Sequence, residues 1–168
     1  MKETIDRNYL EIKSINALIE STPPEMECSI NVVTPDDFQI NKFFYKNVGK
    51  KHRWVDRLIW SEKQWIDYSS DIKVKTYILK VDQELAGYYE LIFHKEKKET
   101  EIAYLGLLEE YHQKKLGSYL LSSAIKSSFF ENEIERVWAH TCSLDHKNAL
   151  HNYLARGMKI FKKETILI

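Results

Sequence analysis

The chain of 168 residues holds only two cysteines, Cys28 and Cys142, and they form no CxxC pair. Two thiols so placed make no disulfide framework, and both are expected reduced. Charge of one sign is also missing. Twenty-five Lys and Arg offset 25 Asp and Glu, so no global field draws the chain to nucleic acid or to an anionic membrane. No apolar run approaches the ~20 residues that cross a bilayer. The opening Met-Lys-Glu-Thr-Ile-Asp-Arg lacks the apolar centre of a signal peptide, which makes the cytoplasm the expected compartment. Glycine is scarce, at five residues. The Gly-x4-Gly-Lys-Ser/Thr phosphate loop is absent, and so is the three-glycine dinucleotide fingerprint. Internal repeats and low-complexity tracts are missing as well.

What is present suits one soluble globular domain over residues 1–168, with 43% hydrophobic and 30% charged residues. Residues 5–13 read as a first strand, 15–20 as a short helical turn, and Thr22-Pro23-Pro24 as a break. Residues 28–34 read as a strand. Pro35-Asp36-Asp37 opens a helix that carries Phe38, Ile40, Phe43, Phe44 and Val48 to Gly49. Ser61-Glu62 opens another helix. Residues 74–81 and 85–94 alternate as a hairpin around Asp82-Gln83-Glu84, and Lys95–Thr100 forms a charged turn. Then come a strand over 101–108, a helix over 116–130, a strand over 136–142, a helix over 146–156 and a strand over 158–167. Hairpins and crossovers mix, so the expected class is α+β around a mostly antiparallel sheet.

Residues 101–121 carry the most chemical information. An apolar strand enters a polar loop with Lys114 and Lys115, and Gly117-Ser118 then opens an apolar-periodic helix. Such a junction aims free backbone N–H groups and a positive helix end at one point, which suits a pyrophosphate. An ordinary strand-turn-helix with a solvated lysine pair is the alternative. Residues 136–161 follow as strand, turn, helix, glycine stop and strand.

Together the two segments resemble the Gcn5-related N-acetyltransferase superfamily, which transfers acetyl from acetyl-coenzyme A to an amine. That family's Arg/Gln-x-x-Gly-x-Gly/Ala loop aligns with His112, Gln113, Lys114, Lys115, Leu116 and Gly117. Only Gly117 matches strictly; His112 stands for Arg/Gln and Lys115 for the first glycine. The family's Asn-x-x-Ala-x-x-x-Tyr-x-x-x-Gly-Phe aligns with His146, Ala149, Tyr153, Gly157 and Met158, of which Ala149, Tyr153 and Gly157 agree. Residues 54–60, 87–91 and 140–146 look like a bacterial subgroup sharing Trp-x-Asp-Arg-Leu-x-Trp, Gly-Tyr-aromatic-Glu-Leu and His-Thr-Cys-x-Leu-Asp-His. The resemblance implies the acyl-CoA N-acyltransferase fold, a central mostly antiparallel mixed sheet flanked by helices.

The resemblance also implies roles. Acetyl-CoA is the expected co-substrate, its pyrophosphate on backbone N–H groups from His112 to Ser118. Gly106, Leu107 and Leu108 are expected along the pantetheine arm; His146 either replaces the family's asparagine there or has no ligand role and merely follows Asp145, the better helix cap. Gly106 invites a bulge or a close backbone approach within its strand; a glycine in an ordinary buried strand is the other reading. Removing the amine proton calls for a carboxylate. Glu101 occupies the position of the catalytic glutamate in the histone-acetylating branch. Alternation places it on one face with Ala103, Leu105 and Leu107, barring a bulge. Glu90 competes as a base; its plain alternatives are a solvent-facing strand glutamate or the partner of an arginine such as Arg57. Tyr153 is the expected acid for the leaving thiolate, with a buried core tyrosine as the plain alternative.

Trp54, Asp56, Arg57 and Trp60 belong to the segment that shapes the acceptor pocket in this superfamily, and they also suit a lid packed on the core. His140, Cys142 and His146 match no zinc spacing, so no metal is expected. The resulting expectation is an N-acetyltransferase acting directly on a small-molecule or protein amine, as a monomer or homodimer, without nucleic acid or membrane. A catalytically silent acyl-CoA-binding or regulatory module is the alternative, and a plain protein-interaction role the third.

Overall fold

The computed structural model describes residues 2–112 and 114–168. Seven strands and four helices follow in the order β1 (Thr4–Ile12), β2 (Cys28–Val32), α1 (Phe38–Gly49), α2 (Glu62–Ser69), β3 (Val74–Val81), β4 (Glu84–His94), β5 (Glu99–Leu107), α3 (Leu116–Glu131), β6 (Arg136–Cys142), α4 (Ala149–Ala155) and β7 (Lys159–Leu167). The strands form one sheet in the order β2-β3-β4-β5-β6-β1-β7. Every pairing is antiparallel except β5 with β6. The mostly antiparallel sheet flanked by helices is the architecture the sequence points to.

Local chemistry sets the boundaries. Asp37 caps α1 by accepting from Gln39 N at 3.0 Å. Ser61 and Gln64 form a reciprocal capping box at the start of α2. The β3–β4 hairpin turns on Asp82 and Gln83, both with positive φ, the geometry that matches strand twist. Gly157, at φ +101°, ends α4 in a Schellman motif: its N–H donates to Leu154 O, and Met158 N donates to Tyr153 O. A Cβ at this glycine would stand 2.3 Å from Ala17 O, so glycine is demanded twice.

Two of the boundaries that differ from the sequence reading bear on the site. The charged turn ends at Lys98, and β5 already begins at Glu99, because Glu99 and Thr100 pair with Arg136 and Val137 of β6. Helix α4 begins at Ala149 rather than 146, because Asp145 turns back to bond the end of β6 and leaves Asn148 as the cap.

One sheet face packs on α3. Leu116, Leu120, Leu121 and Ile125 interlock with Leu10, Leu79, Tyr89, Leu91, Val137 and Met158. Each such aliphatic side chain contributes roughly 1.5–3 kcal/mol by leaving water. The serines that interrupt this helix are bonded: Ser123 and Ser127 meet the Tyr89 hydroxyl, and Ser128 donates to Ala124 O. On the opposite face α1 packs Phe44 and Val48 against Tyr88 and Leu108. Among the described residues no helix is long and apolar enough to cross a membrane.

The feature that positions the site lies between β5 and β6. Their parallel ladder holds for three pairs only, Glu99 with Arg136, Thr100 with Val137 and Glu101 with Trp138. Beyond Glu101 the strands part. On its other edge β5 stays paired to β4, but Glu90 faces Tyr104 while Leu91 faces Ile102, which leaves Ala103 as an unpaired bulge residue.

Candidate active site

A cavity of about 450 Å³ fills the gap between the parted strands. Ile102 to Leu107 of β5 form one wall, and His140 to Cys142 of β6 form the other. Since β5 is unpaired on this side, alternate backbone groups of Ile102–Leu107 face the cavity with no ladder partner. The loop between α1 and α2 covers the cavity with His52, Trp54 and Asp56, and α4 closes it with Ala149, Asn152 and Tyr153.

Gly106 and Leu107 line this cavity, whereas Leu108 turns into the core beside Phe44 and Val48. The glycine serves a close approach, not a bulge: a Cβ on Gly106 would stand 2.3 Å from Val48 Cγ1. The bulge falls three residues earlier, at Ala103. It reverses the expected alternation, so Glu101 does not share a face with Leu105 and Leu107. Glu101 sits at the closed end of the gap, just outside the cavity lining, with Oε1 3.0 Å from His94 Nε2.

Glu90 is fully buried elsewhere. Its carboxylate accepts from Arg57 Nη1 at 2.9 Å, Tyr68 OH at 2.7 Å and Asn41 Nδ2 at 2.8 Å. Burial opposes the Arg57 charge, but Glu90 more than offsets it, and the guanidinium is held above its ordinary pKa. The rings of Tyr68, Tyr104 and Trp60 enclose that guanidinium at 4.1, 4.4 and 4.8 Å. Arg57, Trp60 and Glu90 therefore form the packed underside of the loop, while Trp54 and Asp56 reach the cavity. Tyr104 joins the two regions, with its ring 4.7 Å from that of Trp54.

At the other end of β5, the chain enters α3 through Lys114 and Lys115, both exposed. Gln113 lies outside the described residues. Lys115 takes the left-handed conformation, φ +60°, in the place where the resemblance has glycine. Leu116 is wholly buried and anchors the first turn of the helix. The Ser118 hydroxyl donates back to Lys115 O at 3.0 Å. Above Gly117 there is space: a Cβ there would meet only Asn152 Nδ2 at 3.8 Å and Leu107 Cδ1 at 3.9 Å. A 16-residue helix whose first N–H groups carry no side-chain cap, opening beside a lysine pair, is chemically suited to a diphosphate.

His112 and His146 line the cavity with their rings 5.0 Å apart, and His52 lies 6.3 Å from His146. Burial, then the neighbouring His112 and His52, push the His146 pKa down. His146 Nδ1 accepts from Asn148 N at 3.2 Å. Tyr153 is buried on the cavity wall, and burial followed by the charge of Asp145 raises its pKa, so the phenol keeps its proton.

Three residues were not legible as site residues. Asp145 read as a helix cap, yet it lines the cavity. Asn152, next to Tyr153 in the helix, donates to Gly117 O at 3.1 Å and ties α4 to the phosphate-loop helix. Arg7 lines the cavity because β1 inserts beside β6, a placement that no local pattern announces.

Comparison with known proteins agrees with this geometry. A GCN5-related N-acetyltransferase from Sphaerobacter thermophilus superposes with a TM-score of 0.74 at 11% identity, covering 98% of this chain and 50% of its own. One from Kribbella flavida gives 0.70 at 12% identity, with 99% and 58% coverage. The chain thus spans little more than half the length of these two. An aminoglycoside acetyltransferase from an uncultured soil metagenomic sample gives 0.63 at 12% identity, covering 77% of this chain and 86% of its own. No curated protein sequence matches the chain. The Acetyltransferase (GNAT) family pattern matches residues 38–158, from the first helix to the Met that follows Gly157, and so takes in both the parted strands and the α3 entry. On that match the chain belongs to the GNAT acetyltransferase family.

Proposed function

We propose that the protein is an acetyl-CoA-dependent N-acetyltransferase that moves the acetyl group directly to an amine. The observation that carries this is the parting of β5 from β6 after Glu101, with the α3 N-terminus at one end of the gap and buried Tyr153 on its wall. Acetyl-CoA would supply the activated thioester. The N–H groups at the start of α3 and the side chains of Lys114 and Lys115 suit its diphosphate. The free edge of β5 at Gly106 and Leu107 suits the amide-rich pantetheine arm. The same edge offers N–H donors to a carbonyl oxygen that becomes an oxyanion.

Glu101 is the proposed base. Its carboxylate bonds His94 just outside the cavity lining, so it would act through a bridging water. The ammonium gives one proton to Glu101, and the free amine forms a bond to the acetyl carbon. As the carbon–sulfur bond breaks, the Tyr153 phenol protonates sulfur. The extra proton on nitrogen then restores the phenol. Holding the amine and thioester together in one cleft supplies much of the rate.

The test measures free thiol release from acetyl-CoA against a panel of aliphatic amines, aminoglycosides, amino acids and peptide N-termini, beside calorimetric binding of acetyl-CoA. Turnover with one class, lost in Glu101→Gln and Tyr153→Phe while binding persists, supports the reading. Acetyl-CoA binding with no turnover on any class favours a silent acyl-CoA-binding module instead. No binding overturns both.

A further inference from the structure

Two acidic side chains line the cavity among the described residues, Asp56 and Asp145. Asp56 is exposed on its loop, but Asp145 is half-buried and fixed from three sides. Its Oδ2 accepts from Thr141 Oγ1 at 2.6 Å and from Cys142 N at 3.0 Å. Its Oδ1 has Trp54 Nε1 at 3.5 Å, beyond the usual range of a strong bond. An ionised carboxylate accepts at about four lone-pair positions, so Oδ1 retains capacity beside the cavity. Asp145 forms no ion pair among the described residues. A half-buried anion with open capacity in a cleft calls for a cationic donor.

We propose that Asp145 is the seat of the acceptor's ammonium group, which donates to Oδ1 and is thereby placed between Tyr153 and the free edge of β5. The assignment rests on the acetyltransferase reading and narrows it. A seat of this kind selects primary aliphatic amines, which are cationic at neutral pH. It disfavours aryl amines and alcohols, which arrive uncharged. Thr141, which donates to Oδ2, acts as a positioning residue for the carboxylate.

The Trp54 indole N–H, facing Oδ1, gives a readout independent of turnover. In ¹⁵N-labelled protein, with Trp54→Phe identifying its signal, n-butylammonium is expected to shift the Trp54 indole resonance saturably. n-Butanol is expected to leave it in place, and Asp145→Asn to abolish the response. Thr141→Val keeps the charge but loosens its aim, and should weaken the response without abolishing it. An equal response in Asp145→Asn, an equal response to butanol, or none in the wild type overturns the assignment. With the best amine of the activity panel, Asp145→Asn should raise KM by about 10- to 100-fold while acetyl-CoA affinity stays unchanged. Failure of acetyl-CoA binding in the wild type would sink the enzyme reading, and would be distinguishable from failure of the ammonium seat.

Discussion

Arg57 Nη1 stands 2.9 Å from Glu90 Oε1, and both side chains are withdrawn from water. This pair fixes the loop that covers the cavity, because the Arg57 guanidinium rests against Tyr104, and Tyr104 packs on Trp54. Removing one partner strands the other charge in the interior. Glu90→Gln and Arg57→Met should each destabilise the fold by about 3–5 kcal/mol. The double replacement should cost clearly less than the sum. Urea unfolding reads both, and single losses under about 1 kcal/mol would show that the loop is held otherwise.

Lys115 adopts the left-handed conformation at φ +60°, which costs an L side chain about 1–2 kcal/mol. Lys115→Gly should relieve this strain and raise the melting temperature by roughly 2–4 °C per kcal/mol for a chain of this size. Calorimetry of acetyl-CoA binding then separates backbone from charge. A weaker affinity in the more stable variant would mean that the Lys115 ammonium itself serves the diphosphate.

Gly106→Ala places a methyl group 2.3 Å from Val48 Cγ1. It should cost about 1–3 kcal/mol by overpacking. Val48→Ala should return part of that loss when the two are combined, because α1 then makes room. A combined cost equal to the sum would mean that the clash is relieved by backbone movement instead.

The lowered pKa of His146 has a definite sign. The unfolded side chain takes up a proton near pH 6.5, whereas the folded one resists it down to lower pH. The unfolded state therefore binds more protons in that window, and stability falls as pH drops below about 6.5 toward the lower folded value. His140, lowered by burial and then by Arg7, acts in the same window, so His146→Asn should reduce this fall without removing it. Melting curves between about pH 5 and 7.5 test it, and an unchanged slope would place the effect on other groups.

The sequence revealed most of the fold because its signals were local. Asp37, Ser61 and Gly157 are caps and stops that act within a few residues, and each works as read. The parted strands were not legible, since a ladder that stops after Glu101 leaves no periodic trace. The bulge at Ala103 was hidden for a related reason. It depends on how β5 registers against β4, and it moved Glu101 away from the face that plain alternation assigns. Asp145 was seen but misplaced, because an aspartate before a helix looks like a cap whether it bonds forward to the helix or, as here, back to Cys142 N. Arg7 carried no signal, since its place in the cavity wall follows from a pairing across the whole chain.

That pairing also bears on how the molecule is made. Strand β1 lies between β6 and β7, with Ile5 opposite Ile166 and Arg7 opposite Cys142. Strand β1 is synthesised before both of its neighbours, so neither of its edges is satisfied until β6 and β7 have followed. Pairings so distant along the chain are entropically slow to close. The β6–β1–β7 half of the sheet should accordingly be the late-maturing one, with β3, β4 and β5 ordered earlier. In pulse-labelled hydrogen exchange during refolding, amides of β1 should gain protection together with those of β7 and after those of the β3–β4 hairpin. Protection of β1 ahead of β7 would contradict this order.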